Sequence, residues 1–283
     1  MFRTFLILLF LAACAFVGWY SYNNYDRVSS EVGKISQFLE EKTAVTFELA
    51  VSGDAIMQSQ SHELLKDSNH TFGKAHVKFV PLLLLEVKYV DDAKNTQEGR
   101  LLWSLENGEM VLDTKTFQTT HGFQDFIMQK AHDDDFYLIH LLEKHNGTLS
   151  KDALFDEAIL DSDRIEAALA DLKKKQLISI KGHDIHLHLA NPMVKVTPST
   201  NFAHILVTKT INHDDKIAPN YSPSQVKRVA QAAFGHDFAI RKEQIIYLPV
   251  IQIDIKNPDG SVLKTYWNGV TGKRMEMIHF IIP

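Results

Sequence analysis

Two stretches near opposite ends of the chain carry the same pattern, and this duplication constrains the fold more than any bulk property. Lys78-Phe79-Val80-Pro81-Leu82-Leu83-Leu84-Leu85-Glu86-Val87-Lys88-Tyr89 aligns with Ile246-Tyr247-Leu248-Pro249-Val250-Ile251-Gln252-Ile253-Asp254-Ile255-Lys256 when Pro81 meets Pro249. Trp103 then corresponds to Trp267, and a glycine follows each tryptophan five residues on, Gly108 and Gly272. Each copy reads as a strand led by an aromatic residue and a proline, a turn, and a second strand that passes through tryptophan into a glycine turn. Proline at a strand start removes no ladder hydrogen bond, which accounts for its place in both copies. The second copy is the clearer one, because Asn257-Pro258-Asp259-Gly260 between two β-rich runs is a strong hairpin signal.

A helix is expected before each strand pair. Ser222 followed by Pro223 opens the one in the second copy, with Val226, Val229, Ala230, Ala233 and Phe234 on its apolar face. In the first copy the counterpart is shorter, over residues 62–66. Helix followed by antiparallel strands that close on Tyr266-Trp267-Asn268-Gly269-Val270-Thr271-Gly272-Lys273 resembles the PepSY class of small α+β modules. The resemblance covers about 60 residues of the second copy. The first copy departs from it, with Glu106-Asn107-Gly108 where the pattern has Thr-Gly. It implies a module of secreted or membrane-associated bacterial proteins that serves in binding and inhibition rather than catalysis.

Between the copies the periodicity turns helical. Asp133-Asp134-Asp135 begins a helix whose apolar positions are Phe136, Ile139, His140 and Leu142 and which stops at Asn146-Gly147. Residues 150–159 give a second, short helix, and Asp161-Ser162 caps a third with Ile165, Ala168, Leu169 and Leu172 on its face. Residues 176–180 and 185–189, joined by Lys181-Gly182-His183-Asp184, then read as a two-stranded ribbon. Three helices and a ribbon resemble the winged helix-turn-helix family, and the run from Arg164 through Ile178 is similar to its third helix and first wing strand.

That resemblance implies DNA, but the charges oppose it. Affinity for a duplex comes largely from cations placed on phosphates. The first turns of the third helix offer Asp161, Asp163 and Glu166 beside a single Arg164, while Lys173, Lys174 and Lys175 stand at the far end. Residues 123–192 hold 13 acidic and 8 basic residues and so carry the chain's entire net charge of −5. Nucleic acid is therefore not the expected partner.

Residues 5–20, FLILLFLAACAFVGWY, contain no charge, and Trp19, Tyr20, Tyr22 and Tyr25 follow as an interfacial aromatic cluster would. The expectation is an uncleaved anchor that holds the chain in a bacterial inner membrane, with the body on the periplasmic side and a cytoplasmic body left open. Leu11-Ala12-Ala13-Cys14 resembles a lipobox, which makes Cys14 a candidate for lipidation after cleavage. Val28, Val32, Ile35 and Leu39 then form one apolar stripe, a surface for homo- or hetero-oligomers or for packing on the chain itself. Cys14 is the only cysteine, so the body forms no intrachain disulfide.

The expected architecture is α+β: a membrane helix over residues 1–22, a juxtamembrane amphipathic helix over 23–43, and two related helix-plus-antiparallel-sheet modules over 44–120 and 196–283. The modules flank a winged-helix-like three-helix insert over 123–192. The chain has no Gly-rich phosphate loop, H-E-x-x-H, G-x-S-x-G or eligible thiol nucleophile, and neither a catalytic residue nor a cofactor is expected. His183, His186 and His188 lack the further ligand that a metal site needs, and His132 with the aspartates after it reads as helix capping. The candidate interaction residues are Trp103, Trp267, Arg164, Lys173, Lys174 and Lys175, although tryptophans at repeated positions more often serve the core. The expected function is non-enzymatic: an adaptor that binds other proteins of an envelope or secretion complex at the membrane. The alternative is a membrane-tethered winged-helix regulator of transcription.

Overall fold

The computed structural model describes residues 43–91, 93–189 and 192–275. The expected anchor with Cys14, and the stripe of Val28, Val32, Ile35 and Leu39, lie outside the described residues. Among those described, no helix is long and apolar enough to cross a membrane. The chain is mixed α+β. The described residues begin with β1 (Thr43–Phe47), α1 (Gly53–Ser59), α2 (Ser61–Leu64), β2 (Thr71–Val90), β3 (Thr96–Ser104), β4 (Met110–Asp113) and β5 (Gln118–Thr119). A middle segment holds α3 (Phe123–Met128), α4 (Asp133–Lys144), β6 (Thr148–Ser150), α5 (Lys151–Glu157), α6 (Ser162–Lys174), β7 (Ile178–Lys181) and β8 (Asp184–Leu187). The chain continues through β9 (Leu206–Thr210), α7 (Pro223–Phe234), β10 (Ala239–Lys256), β11 (Val262–Asn268) and β12 (Arg274–Met275).

β2 and β10 pair antiparallel at the centre of a nine-stranded sheet of order β12-β11-β10-β2-β3-β4-β5, with β1 beside β10 and β9 beside β1. Their register sets Phe79 opposite Pro249, Val80 opposite Leu248 and Pro81 opposite Tyr247. Positions matched by the alignment of the two copies thus exchange places across the ladder, as they must if a local two-fold axis passes through the Val80–Leu248 pair. The outer strands obey the same relation. Trp103 of β3 lies opposite Leu83, and Trp267 of β11 lies opposite Ile251.

Both prolines lie in the middle of their strands and not at the starts expected from the sequence. In an antiparallel strand the N–H and C=O of one residue point to the same side. The Pro81 carbonyl accepts from Leu105 N–H at 3.1 Å and that of Pro249 accepts from Gly269 N–H at 2.8 Å, so each missing donor faces the outer neighbour. The central β2–β10 ladder therefore loses no bond.

Strand alternation gives the sheet two buried faces. Val80, Leu82, Leu84, Leu102, Val111, Ile246, Leu248 and Val250 form one core, sealed by Phe47 and Val270. On the other face Ile251, Ile253, Ile255 and Trp267 pack against Ile56 and Leu64 of α1 and α2. On that second face, Trp103 meets Phe123 of α3 with ring centroids 4.7 Å apart, and Phe123 reaches Phe234 of α7 at 6.4 Å and Phe136 of α4 at 6.2 Å. Each such side chain contributes about 1.5–3 kcal/mol on burial, which is why the middle of β2 reads as a continuous apolar run. The first-copy helix starts at a Ser52 cap, whose Oγ accepts from Ala55 N–H, about ten residues before the expected 62–66. Only Ile56 is buried along α1, so no apolar stripe announces it.

The middle segment leaves the sheet at His121 and returns at Met193, where the two backbones exchange hydrogen bonds of 3.4 and 2.9 Å. Glu109, buried just before that departure, accepts from Thr120 Oγ1 at 2.7 Å and from the N–H groups of Gly122, Phe123 and Gln124 at 2.9, 3.3 and 3.1 Å. Its carboxylate thereby caps α3, a helix absent from the sequence reading. The expected helices follow as α4, α5 and α6. The expected ribbon instead has three strands in the order β6-β8-β7, since residues 148–150 pair with β8 before α5 begins.

Two outcomes test this packing. Trp103→Ala and Trp267→Ala are each expected to lower unfolding stability by about 3–5 kcal/mol in denaturant titration, and a loss below about 1 kcal/mol in either contradicts the shared core role. The second outcome concerns His140, whose Nε2 is enclosed without a hydrogen-bond partner. Burial, aided by the charge of Lys195, pulls its pKa down from 6.5 to about 4. Between those values the unfolded chain binds the proton and the folded chain does not. Stability therefore rises with pH through that window and falls by up to roughly 3 kcal/mol as pH drops from about 6.5 to about 4. In His140→Leu this share of the slope is expected to vanish, and an unchanged slope would contradict the assignment.

Candidate binding cleft

The residues singled out in the sequence are not brought together. Trp103 is fully buried and Trp267 nearly so, and their indole N–H groups donate to Gly108 O at 2.7 Å and Thr265 Oγ1 at 3.1 Å. Both belong to the core and offer no surface. Lys175, expected on the solvated end of α6, is also turned inward. Its ammonium lies 2.5 Å from Asp135, a fully buried carboxylate, and 2.6 Å from Asp171. Burial works against the Lys175 charge, but the hydrogen bonds to both aspartates outweigh it and hold its pKa above the ordinary value. Lys173 and Lys174 alone of the three are exposed.

Arg164 hydrogen-bonds Asp134 through Nε and Nη2, and Glu166 pairs with Lys151 at 3.2 Å. The exposed start of α6 is therefore internally neutralised and presents no free cationic patch for phosphate. His132 Nε2 approaches Asp171 at 3.1 Å and Asp135 at 3.4 Å, a grouping with metal-ligand spacing. The Lys175 ammonium already supplies the positive charge between those carboxylates. His132 N–H also donates to Asp135 at 3.1 Å, as the capping expectation has it. His186 binds Thr148 Oγ1 at 3.0 Å and His188 binds Gln176 O at 2.7 Å, so each has a local partner.

A different place gathers groups from both copies. Over the Val80–Leu248 pair lies a cleft of about 300 Å³, floored also by Leu82 and Val111. Its walls are the two turns that follow the tryptophan strands, which are built alike. Ser104 Oγ accepts from the N–H groups of Glu106 and Asn107 at 3.3 and 3.2 Å. Asn268 Oδ1 accepts from those of Val270 and Thr271 at 2.9 and 3.0 Å. The Ser104 N–H reaches Glu109 O at 2.9 Å, and the Asn268 N–H reaches Lys273 O at 2.8 Å. Gly108 and Gly272 close the turns at φ +76° and +70°, a region that glycine enters without strain.

Charge breaks the symmetry. One wall carries Glu106 and Asn107, and the other carries Lys273 and Arg274, both exposed, although the Arg274 guanidinium lies 3.5 Å from Glu63 of α2. Met275 and Phe117 add apolar surface at the mouth. Phe117 has φ +52°, unfavourable for a bulky side chain, and its ring packs edge-on against Phe47 at 5.5 Å. Such strain persists only where the surroundings over-determine it. An apolar floor between polar walls, placed where the β2–β3 and β10–β11 strand pairs meet, has the make-up of a binding site. Sequence reasoning missed it. The available signal was Ser104 and Asn268, each directly after its tryptophan and each a residue that folds back onto a turn.

No protein-family model matches this chain, and neither a curated protein nor a solved structure matches it, so the chemistry of the cleft is read from its own residues.

Proposed function

We propose that this protein is a non-enzymatic, membrane-attached adaptor that holds an extended segment of a protein partner in the cleft over Val80 and Leu248. The cleft carries the reading: its floor takes apolar side chains, and Lys273 on one wall favours a segment that also bears a carboxylate. In this reading the two copies are related modules of PepSY-like form, fused through β2 and β10, and the apolar residues 5–20 tether them to a bacterial inner membrane with the body in the periplasm. Cys14 is then either part of the anchor or its lipidated terminus. The α4–β8 segment is a winged-helix-like insert adapted to protein contacts.

One observation favours a second reading, a tethered transcription regulator. The order helix, strand, helix, helix, ribbon in that segment is the order of a DNA-reading winged helix. The pairing of Arg164 with Asp134 and of Glu166 with Lys151 weighs against it.

A photo-crosslinking residue at Thr116, on the cleft rim, is expected to yield discrete protein adducts in intact membranes. The same residue at His236, outside the cleft, is expected to yield none. Lys273→Glu should remove most of the Thr116 adduct while leaving the melting temperature unchanged. Equal adducts at both positions, or an adduct indifferent to the charge reversal, would contradict the reading. Recovery of DNA in place of protein, in a form abolished by Lys173→Ala with Lys174→Ala, would favour the regulator.

A further inference from the structure

A second cleft, of about 430 Å³, lies between α7 and the start of β10 on the outside of the second copy. Ser224, Lys227, Arg228 and Gln231 recur along α7 at helical spacing, so they stand on one face and line one wall. The opposite wall begins with a break in the central ladder. β10 advances two residues, from Ile240 to Lys242, while β2 advances one, from Val87 to Glu86. Arg241 is therefore the extra residue of a β-bulge, a device that re-aims a side chain out of the strand's alternation. It lines this cleft and also the neighbouring one bounded by Glu98 and Arg100.

The charges are unequal. Lys227, Arg228, Arg241 and Lys242 line the cleft against a single carboxylate, Glu243. Glu243 is held by Lys227 at 2.5 Å, and Lys242 turns to Glu86 at 3.4 Å. That leaves Arg228 and Arg241, both exposed, with no carboxylate within ion-pairing distance among the described residues. Two guanidinium groups from two different elements border one concave surface. Their planar forks suit an oxyanion with several acceptor atoms, and a guanidinium sheds its hydration more readily than an ammonium.

We propose that this cleft is a phosphate-binding site, in which Arg228 from α7 and the bulged Arg241 from β10 hold the oxygens and Lys227 and Lys242 add positive field. The volume exceeds a bare phosphate, so the ligand is a phosphate ester, with a phospholipid headgroup and a soluble metabolite as the two sources. The site is separate from the cleft over Val80 and Leu248 and stands without it.

The test is calorimetric titration of the full chain in non-ionic detergent at about 0.05 M salt, where screening leaves surface charge effective. Three probes are used: inorganic phosphate, glycerol 3-phosphate, and glycerophosphoglycerol as the diester of an anionic lipid headgroup. Saturable binding of at least one is expected. A preference for the diester assigns the lipid source, a preference for glycerol 3-phosphate assigns the soluble one, and a preference for inorganic phosphate contradicts the ester. Arg228→Ala and Arg241→Ala should each weaken binding by about tenfold, and Arg→Lys at either position should restore only part of it. Because Arg228 is exposed on a helix, its variant keeps the test valid even if the bulge tolerates no change at Arg241. Absence of saturation by all three probes below about 10 mM would overturn the proposal. So would an equal loss in Lys173→Ala with Lys174→Ala, which reports diffuse charge.

Discussion

The antiparallel pairing of β2 with β10 about Val80 and Leu248 is the interaction on which the rest depends. It joins strands from opposite ends of the body, with all the intervening chain folded between, so its formation closes a very long loop. In return it creates two faces at once. One becomes the core floored by Leu82, Leu102 and Val250, and the other receives the helices over Trp103 and Trp267. A register slip of one residue would exchange these faces and expose both, which is why the pairing is fixed by the apolar pattern and not by any single bond. The prolines sit beside this centre without harm because their missing donors point outward.

Much of this was legible in residues, and what was not has physical causes. The spacing from proline to tryptophan to glycine, repeated in both copies, carries the strand pairs, because alternation and turn chemistry act over a few residues. The partnership of β2 with β10 does not appear in either segment, since register between remote strands is a tertiary choice. The helix α1 escaped notice because Ile56 alone of it is buried, and β6 because three residues between helices show no period. Lys175 shows the same limit in charge. A lysine at the end of a helix reads as solvated, and only the fold brings buried Asp135 beneath it.

The Ser104 and Asn268 turns are alike in backbone hydrogen bonding and unlike in charge, and the candidate cleft draws on both properties. Likeness brings the Ser104 and Asn268 turns face to face over an apolar floor. Divergence places Glu106 on one wall and Lys273 on the other. The acidic middle segment is held to this frame at the His121–Met193 neck and by the Glu109 cap on α3. Some of its surface charges pair within it, Arg164 with Asp134 and Lys144 with Glu157.

Native-state hydrogen exchange tests the central claim most directly, because it reads whether the two halves open together. The account predicts that the amides of residues 82–87, 245–248 and 250–251 are the slowest in the body and share one opening free energy, equal to that of global unfolding. Exchange of one strand's amides through a separate, lower-energy opening while the other stays protected would mean that the halves are independent, and the cleft between them would then have no fixed shape.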